Sequence, residues 1–305
     1  MESGTLTLNG LITANTTART LFLGGAGQGI INGYFYDNGA NIPALTKQDS
    51  GTWTFTTGTA YSGKTTIQGG TLKLDVNGSI PNTPTIQILS NAVFDVSAVS
   101  GGFTLGGGQT LGGNGSVLGD VTATGTVTPG APVGTLSFSS SLALFGTTIM
   151  ELNRTNAQNA DLISAAAITF GGTLTITNLG PDLQAGDTFN LFDGASSGSF
   201  SETNLPALAS TNLYWDVSQF GSQGIITVGS TVAISPTILP PTRSGTNLVL
   251  QVASQAGYDY VLQATPQLNS PVWTGVQTNA GGGILTFTIP ISPTNPQRFF
   301  RISVQ

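Results

Sequence analysis

The sequence predicts an all-β chain: a right-handed parallel β-helix of about ten coils over residues 1–231, then a small antiparallel β-sandwich over residues 244–305. Three observations predict it. Apolar and polar residues alternate in short runs, the period-two signature of strands whose side chains face in and out by turns. Glycines stand between the runs where the chain must turn sharply, and no helical period interrupts them. Near residue 230 the spacing changes to five short strands after a proline-rich stretch.

Residues 45–74, LTKQDSGTWTFTTGTAYSGKTTIQGGTLKL, show the pattern most fully. Trp53, Phe55, Ile67, Leu72 and Leu74 form the inward set, and the outward set is mostly threonine, a β-branched polar residue suited to an exposed pleat. Gly58, Gly63, Gly69 and Gly70 read as corners. Strand, corner, strand is how a chain coils so that each coil bonds to those above and below it.

The same stretch resembles the autotransporter-associated β-strand repeat of bacterial secreted proteins. Leu45, Lys47, Gly51, Thr52, Trp53, Tyr61, Ser62, Gly63, Thr65, Ile67, Gly70, Thr71 and Leu72 fall on that pattern. Asp49 stands where the family usually has glycine, and Thr59-Ala60 where it usually has Asn-Thr. Residues 128–136, TPGAPVGTL, are similar to the corner that follows such repeats, with Val133 inserted; residues 186–192 and 214–228 look like the family's end segment. The resemblance extends over roughly residues 1–229 and implies a β-solenoid exported by a bacterium, at the cell surface or beyond it.

Along the chain, Gly4–Leu8 opens inside a strand pattern, leaving an exposed edge that a second copy could cover by strand addition. Between 86 and 128 the predicted runs are 86–89, 92–96, 103–105, 117–121 and 124–128, with Gly106-Gly107-Gly108 and Gly112-Gly113-Asn114-Gly115 as corners. These glycines do not form a phosphate cradle, because no helix follows to face an anion. Residues 232–243, with three prolines from 236 to 241, read as an extended linker. The strands expected after it are 248–252, 258–264, 272–276, 284–289 and 299–304.

Composition bounds the chemistry. Only 7% of the 305 residues are charged, so the outer surface is built of hydroxyls, amides and glycine backbone. The net charge of −6 divides into −8 over residues 1–231 and +2 over residues 232–305. An acidic chain without clustered Lys and Arg does not fit nucleic acid. Met1-Glu2-Ser3-Gly4 does not begin an export signal, and no run approaches the length of a membrane helix. With no cysteine and no histidine, disulfides, thiolate or imidazole metal sites and His-based triads are excluded.

What remains is carboxylate chemistry. Asp182, Asp187 and Asp193 sit beside Gly or Pro, where aspartate commonly closes turns on its own backbone. Asp37, Asp49, Asp75, Asp95 and Asp120 are spread singly, Asp216 follows Trp215 in the end segment, and Glu151 and Arg154 are close enough to pair. Trp53 is expected in the core, as are Tyr258, Tyr260 and Trp273 of the sandwich. No catalytic, cofactor-binding or metal-ligating residue is assigned. The expected function is a non-enzymatic surface or extracellular structural protein, a stalk or passenger segment able to self-assemble into fibres through its open edge. Two alternatives stay open: glycan binding through Trp273 and Tyr260, and a polysaccharide lyase or glycosidase on the solenoid face.

Overall fold

The computed structural model describes residues 4–13, 17, 19–130, 132–233, 235–291 and 297–305. Met1 to Ser3, and Ala131 of the proline-glycine corner, lie outside the described residues. Two compact units divide at Gly229 and Ser230.

The first unit is a parallel β-solenoid. One ladder runs from Thr5–Leu8 through Gln28–Ile31, Thr52–Phe55, Gly70–Leu74, Ala92–Asp95, Ser116–Leu118, Thr135–Leu144 and Leu162–Phe170 to Phe192–Gly198. A second runs from Thr20–Leu23 through Ala44–Lys47, Thr65–Ile67, Thr85–Ile88, Thr110–Gly113, Thr126–Pro129, Thr147–Leu152 and Thr173–Asn178 to Glu202–Asn204. A third side begins as isolated bridges, Ile12 to Phe35, Tyr36 to Ala60 and Gly58 to Ser79. It becomes a true ladder from Phe103–Leu105 and Val121–Ala123 onward. Each long ladder thus holds nine strands among the described residues.

Register explains why the alternation is so regular. Trp53 lies beside Leu72, Leu72 beside Phe94, Phe94 beside Val117 and Val117 beside Phe138, so one inward column stacks apolar on apolar. A one-residue slip would turn the whole column outward. The opposite column reads Leu45, Thr65, Ile86, Leu111, Val127, Thr148 and Leu174. Its two threonines are fully buried.

Several corners differ from their sequence reading. The run 117–121 is broken by Gly119-Asp120 into Ser116–Leu118 and Val121–Ala123. Gly112 and Gly113 lie inside Thr110–Gly113. A Cβ on Gly113 would stand 2.0 Å from the Ile88 carbonyl oxygen, so it serves the close approach of neighbouring coils. Thr135–Leu144, ten residues across two sides of a coil, was read only at its start.

The last rung is covered by a different kind of structure. Thr188–Asn190, Ile225–Ser230 and Leu213–Asp216 form a three-stranded sheet, in which the first two pair antiparallel. The one-turn helix Phe220–Gln223 sets Phe220 against Phe170, Phe192 and Phe200, with ring centroids 5.7 to 6.2 Å apart. The solenoid reading through residue 231 therefore gives way to an antiparallel cap, because these strands return on themselves instead of advancing another coil.

The second unit pairs two antiparallel sheets. Asn247–Ser254 is flanked by Gly283–Pro290, Thr242–Ser244 and Thr237–Ile238; Asp259–Thr265 lies between Thr274–Ala280 and Phe299–Val304. Leu250, Val252, Tyr260, Leu262, Phe287 and Ile289 make its core. The proline-rich stretch is consequently no free linker. Its short strands, Thr237–Ile238 and Thr242–Ser244, pair with Asn247–Ser254, and Pro236, Pro240 and Pro241 stand outside them.

Gly29 gives a direct test of the stacking. A Cβ there would fall 2.3 Å from the Trp53 ring, which covers that position from the next coil. Gly29→Ala should destabilise the solenoid by about 1–3 kcal/mol in urea unfolding. A Trp53→Leu background should reduce that penalty sharply, and equal costs in both backgrounds would show the contact to be unimportant.

Candidate functional site

Residues 45–74 occupy four strands on two sides of the solenoid, Ala44–Lys47, Thr52–Phe55, Thr65–Ile67 and Gly70–Leu74. Their polar residues do structural work. Lys47 stands in the inward column between Leu23 and Ile67 and is fully buried. Its ammonium donates to the carbonyls of Gln48, Asp49 and Gly69 at 2.7, 2.9 and 2.9 Å, tying the corner of one coil to the corner of the next. Burial pulls its pKa below the ordinary lysine value, against the attraction of Asp49.

Asp49 has a φ of 60°, the left-handed region. That conformation accounts for the glycine usual at this place, and aspartate is among the few other residues that adopt it readily. The side chain then accepts a bond from the Gly25 N–H at 2.8 Å in the preceding coil. Trp53 donates from Nε1 to the Gly24 carbonyl at 3.0 Å. Tyr61, fully buried, shares a 2.5 Å bond with Thr65, whose hydroxyl meets that of Thr83 at 2.9 Å. Burial raises the Tyr61 pKa well above the phenol range.

The acidic candidates do not converge. Among the described residues no group of three or more His, Cys, Asp or Glu side chains is gathered. Asp187 accepts from the Gln184 N–H at 2.7 Å, a turn, and from Arg154 Nε at 2.8 Å. Arg154 thus pairs with Asp187 and Gln184 instead of Glu151, because the chain between them turns it toward the next coil. Asp216 closes a turn on the Ser218 N–H at 2.9 Å, and the Ser218 hydroxyl, with that N–H, holds its pKa below the ordinary value. Asp182 and Asp193 are exposed.

One acid was missed. Asp161, read only as the start of a strand, is fully buried. It accepts from the Gly134 N–H at 2.8 Å with one oxygen and from the Glu151 N–H at 2.8 Å with the other, pinning the proline-glycine corner to the adjacent strand. Desolvation pushes its pKa up to about 7, outweighing the two N–H donors, with the Glu151 charge adding to the rise. A position inside an apolar run gives no sequence sign of such a role.

In the second unit Tyr260 is buried and its hydroxyl accepts from the Gln255 N–H at 2.8 Å. It is a core residue and offers no face to a sugar. Trp273 is half-buried, with the Arg301 guanidinium 4.5 Å from its ring centroid. No helix among the described residues is long and apolar enough to cross a membrane.

The strand pairs around Trp53, the buried lysine and the left-handed residue at 49 together define a repeat, and a family model recognises it. Residues 45–74 match the passenger-associated-transport-repeat. No curated protein matches the chain. The passenger-associated repeat and the solenoid built on it fit a secreted bacterial passenger domain.

Two substitutions probe these buried groups. Asp49→Ala should cost about 1–2 kcal/mol in chemical unfolding, from left-handed strain and the lost bond to Gly25, whereas Asp49→Gly should be nearly neutral because it relieves the strain. Asp161 binds its proton more tightly folded than unfolded, so stability is present at pH 4 and lost as pH rises through about 7. The unfolding free energy should fall across that window by roughly 2–4 kcal/mol, and Asp161→Asn should flatten the profile.

Proposed function

We propose that this chain is a non-enzymatic segment of a secreted bacterial passenger, a stack of coils that acts as a spacer and carries the C-terminal β-unit. The passenger-associated repeat at residues 45–74 carries the reading, because the rung geometry of that stretch continues through both long ladders. A ladder of parallel rungs gains stability by accumulation, each coil burying the apolar face of the one before it. Its length grows by about 4.8 Å per coil, so a few dozen residues give predictable reach. The outward threonines and the scarcity of charge suit a surface that needs backbone regularity more than long-range fields.

Self-assembly is a second reading, favoured by one observation. Thr5–Leu8 is the outermost described strand of its ladder, and Leu6, on the inward set, is 57% exposed. The opposite end lies under the Phe220 cap, so copies would pair through two such edges and stop at a dimer. Continuous head-to-tail fibres would need that cap to open.

Display is the direct test. Placed between an export signal and a β-barrel translocator, the chain should reach the cell surface and be cleaved by external protease in intact cells. Retention inside the cell, with the same fusion surface-exposed when another passenger replaces it, would overturn the reading. Sedimentation of the purified chain over a concentration series should show monomer, or a dimer lost on deleting residues 4–10.

A further inference from the structure

The structure assigns a second candidate surface to the solenoid, at the corner where its first and third ladders meet. Three features that arise separately in the sequence coincide there. Residues 97–102, a loop longer than the matching corners of neighbouring coils, form one lip. In the next coil Gly119-Asp120 breaks the strand. In the coil after that, Thr135–Leu144 carries a register shift between Phe138 and Ser141, which turns out Ser139 and Ser140. Bulges of this kind re-aim side chains, and here they leave a groove of about 650 Å³.

Its polar groups are arranged unequally. Asp120 accepts three hydrogen bonds on one oxygen, Oδ1: from the Ser140 hydroxyl, the Ser141 N–H at 3.1 Å and the Ser141 hydroxyl at 2.7 Å. Those bonds hold its pKa down to about 2, so the group is ionised throughout the physiological range, and Oδ2 remains an acceptor. Ser139 Oγ accepts from the Gly119 N–H at 3.2 Å and keeps its own proton to donate. Ser97 donates to Asp95 at 2.6 Å and can still accept. Gly101 and Gly102 line the groove without side chains.

We propose that this groove binds a neutral saccharide. Neighbouring sugar hydroxyls each both donate and accept: one donates to Asp120 Oδ2 while the next accepts from Ser139, and the ring lies along the glycine backbone. The carboxylate is fixed before the ligand arrives, so little ordering cost falls on it. A cation is the poorer fit, since one carboxylate lines the groove and a calcium ion takes six to eight oxygens. The site is distinct from the spacer role and from the aromatic residues of the second unit.

Backbone amide NMR of the full chain, titrated with cellotriose, mannotriose or tri-N-acetylchitotriose up to roughly 20 mM, tests it, because open grooves bind in the millimolar range. At least one trisaccharide should shift the Gly101, Gly102, Gly119 and Ser139 amides saturably. Asp120→Asn and Ser139→Ala should each weaken binding at least ~5-fold, the worth of one hydrogen bond. The thermal midpoint of Ser139→Ala should stay at the parent value, separating lost contact from lost fold. Silence of those amides with all three sugars, shifts confined to the Trp273 indole, or shifts with calcium chloride alone would each overturn the proposal.

Discussion

The backbone ladder between successive coils is the constraint on which everything else in the solenoid depends. Each rung donates and accepts along the axis, so its neighbours must be extended at the same height and in the same register. Once that is imposed, side chains at equivalent positions stack on one another. An inward column is then mostly apolar or internally bonded, as Trp53, Leu72, Phe94, Val117 and Phe138 are on one side and as the Tyr61, Thr65 and Thr83 hydroxyls are on another; the buried Thr148 hydroxyl, without a hydrogen-bond partner, is the exception. The corners inherit the same demand. Where two coils come within van der Waals contact through their backbones, as at Gly113 and Ile88, no side chain fits between them.

Buried polar residues show how this frame is locked. Lys47 would be an odd choice for an apolar column if it were only filling space. Its three carbonyl partners span two coils, so it fixes the height of one corner relative to the next. Asp161 performs the complementary task with N–H donors, joining the corner at Gly134 to the strand at Glu151. An ammonium meets carbonyls and a carboxyl group meets amides, and each is desolvated for the sake of a single geometry.

Much of this was legible in the sequence. Alternation with glycine corners gave the solenoid, and the inward set around Trp53 lies where the pattern placed it, with Phe55, Ile67, Leu72 and Leu74 fully buried. What escaped was whatever depends on contact between coils. Nothing local marks Asp161 as buried, or directs Arg154 to Asp187 over Glu151, since both partners lie a coil away. Prolines around residue 240 signal extended chain equally well in a linker and at a sheet edge, and only pairing with Asn247–Ser254 separates them. The groove beside Asp120 is illegible for the same reason: its loop, break and bulge belong to three successive coils.

The antiparallel cap closes the solenoid at its last described rung. Phe220 and its aromatic neighbours seal one end, and their fit is specific to the final rung. Between described coils the first ladder advances by steps of 19 to 29 residues. Gene duplication or loss of one such step would lengthen or shorten the stack while the sealed end stayed intact. Reach is therefore a property that this architecture can change in small, nearly independent increments over evolutionary time.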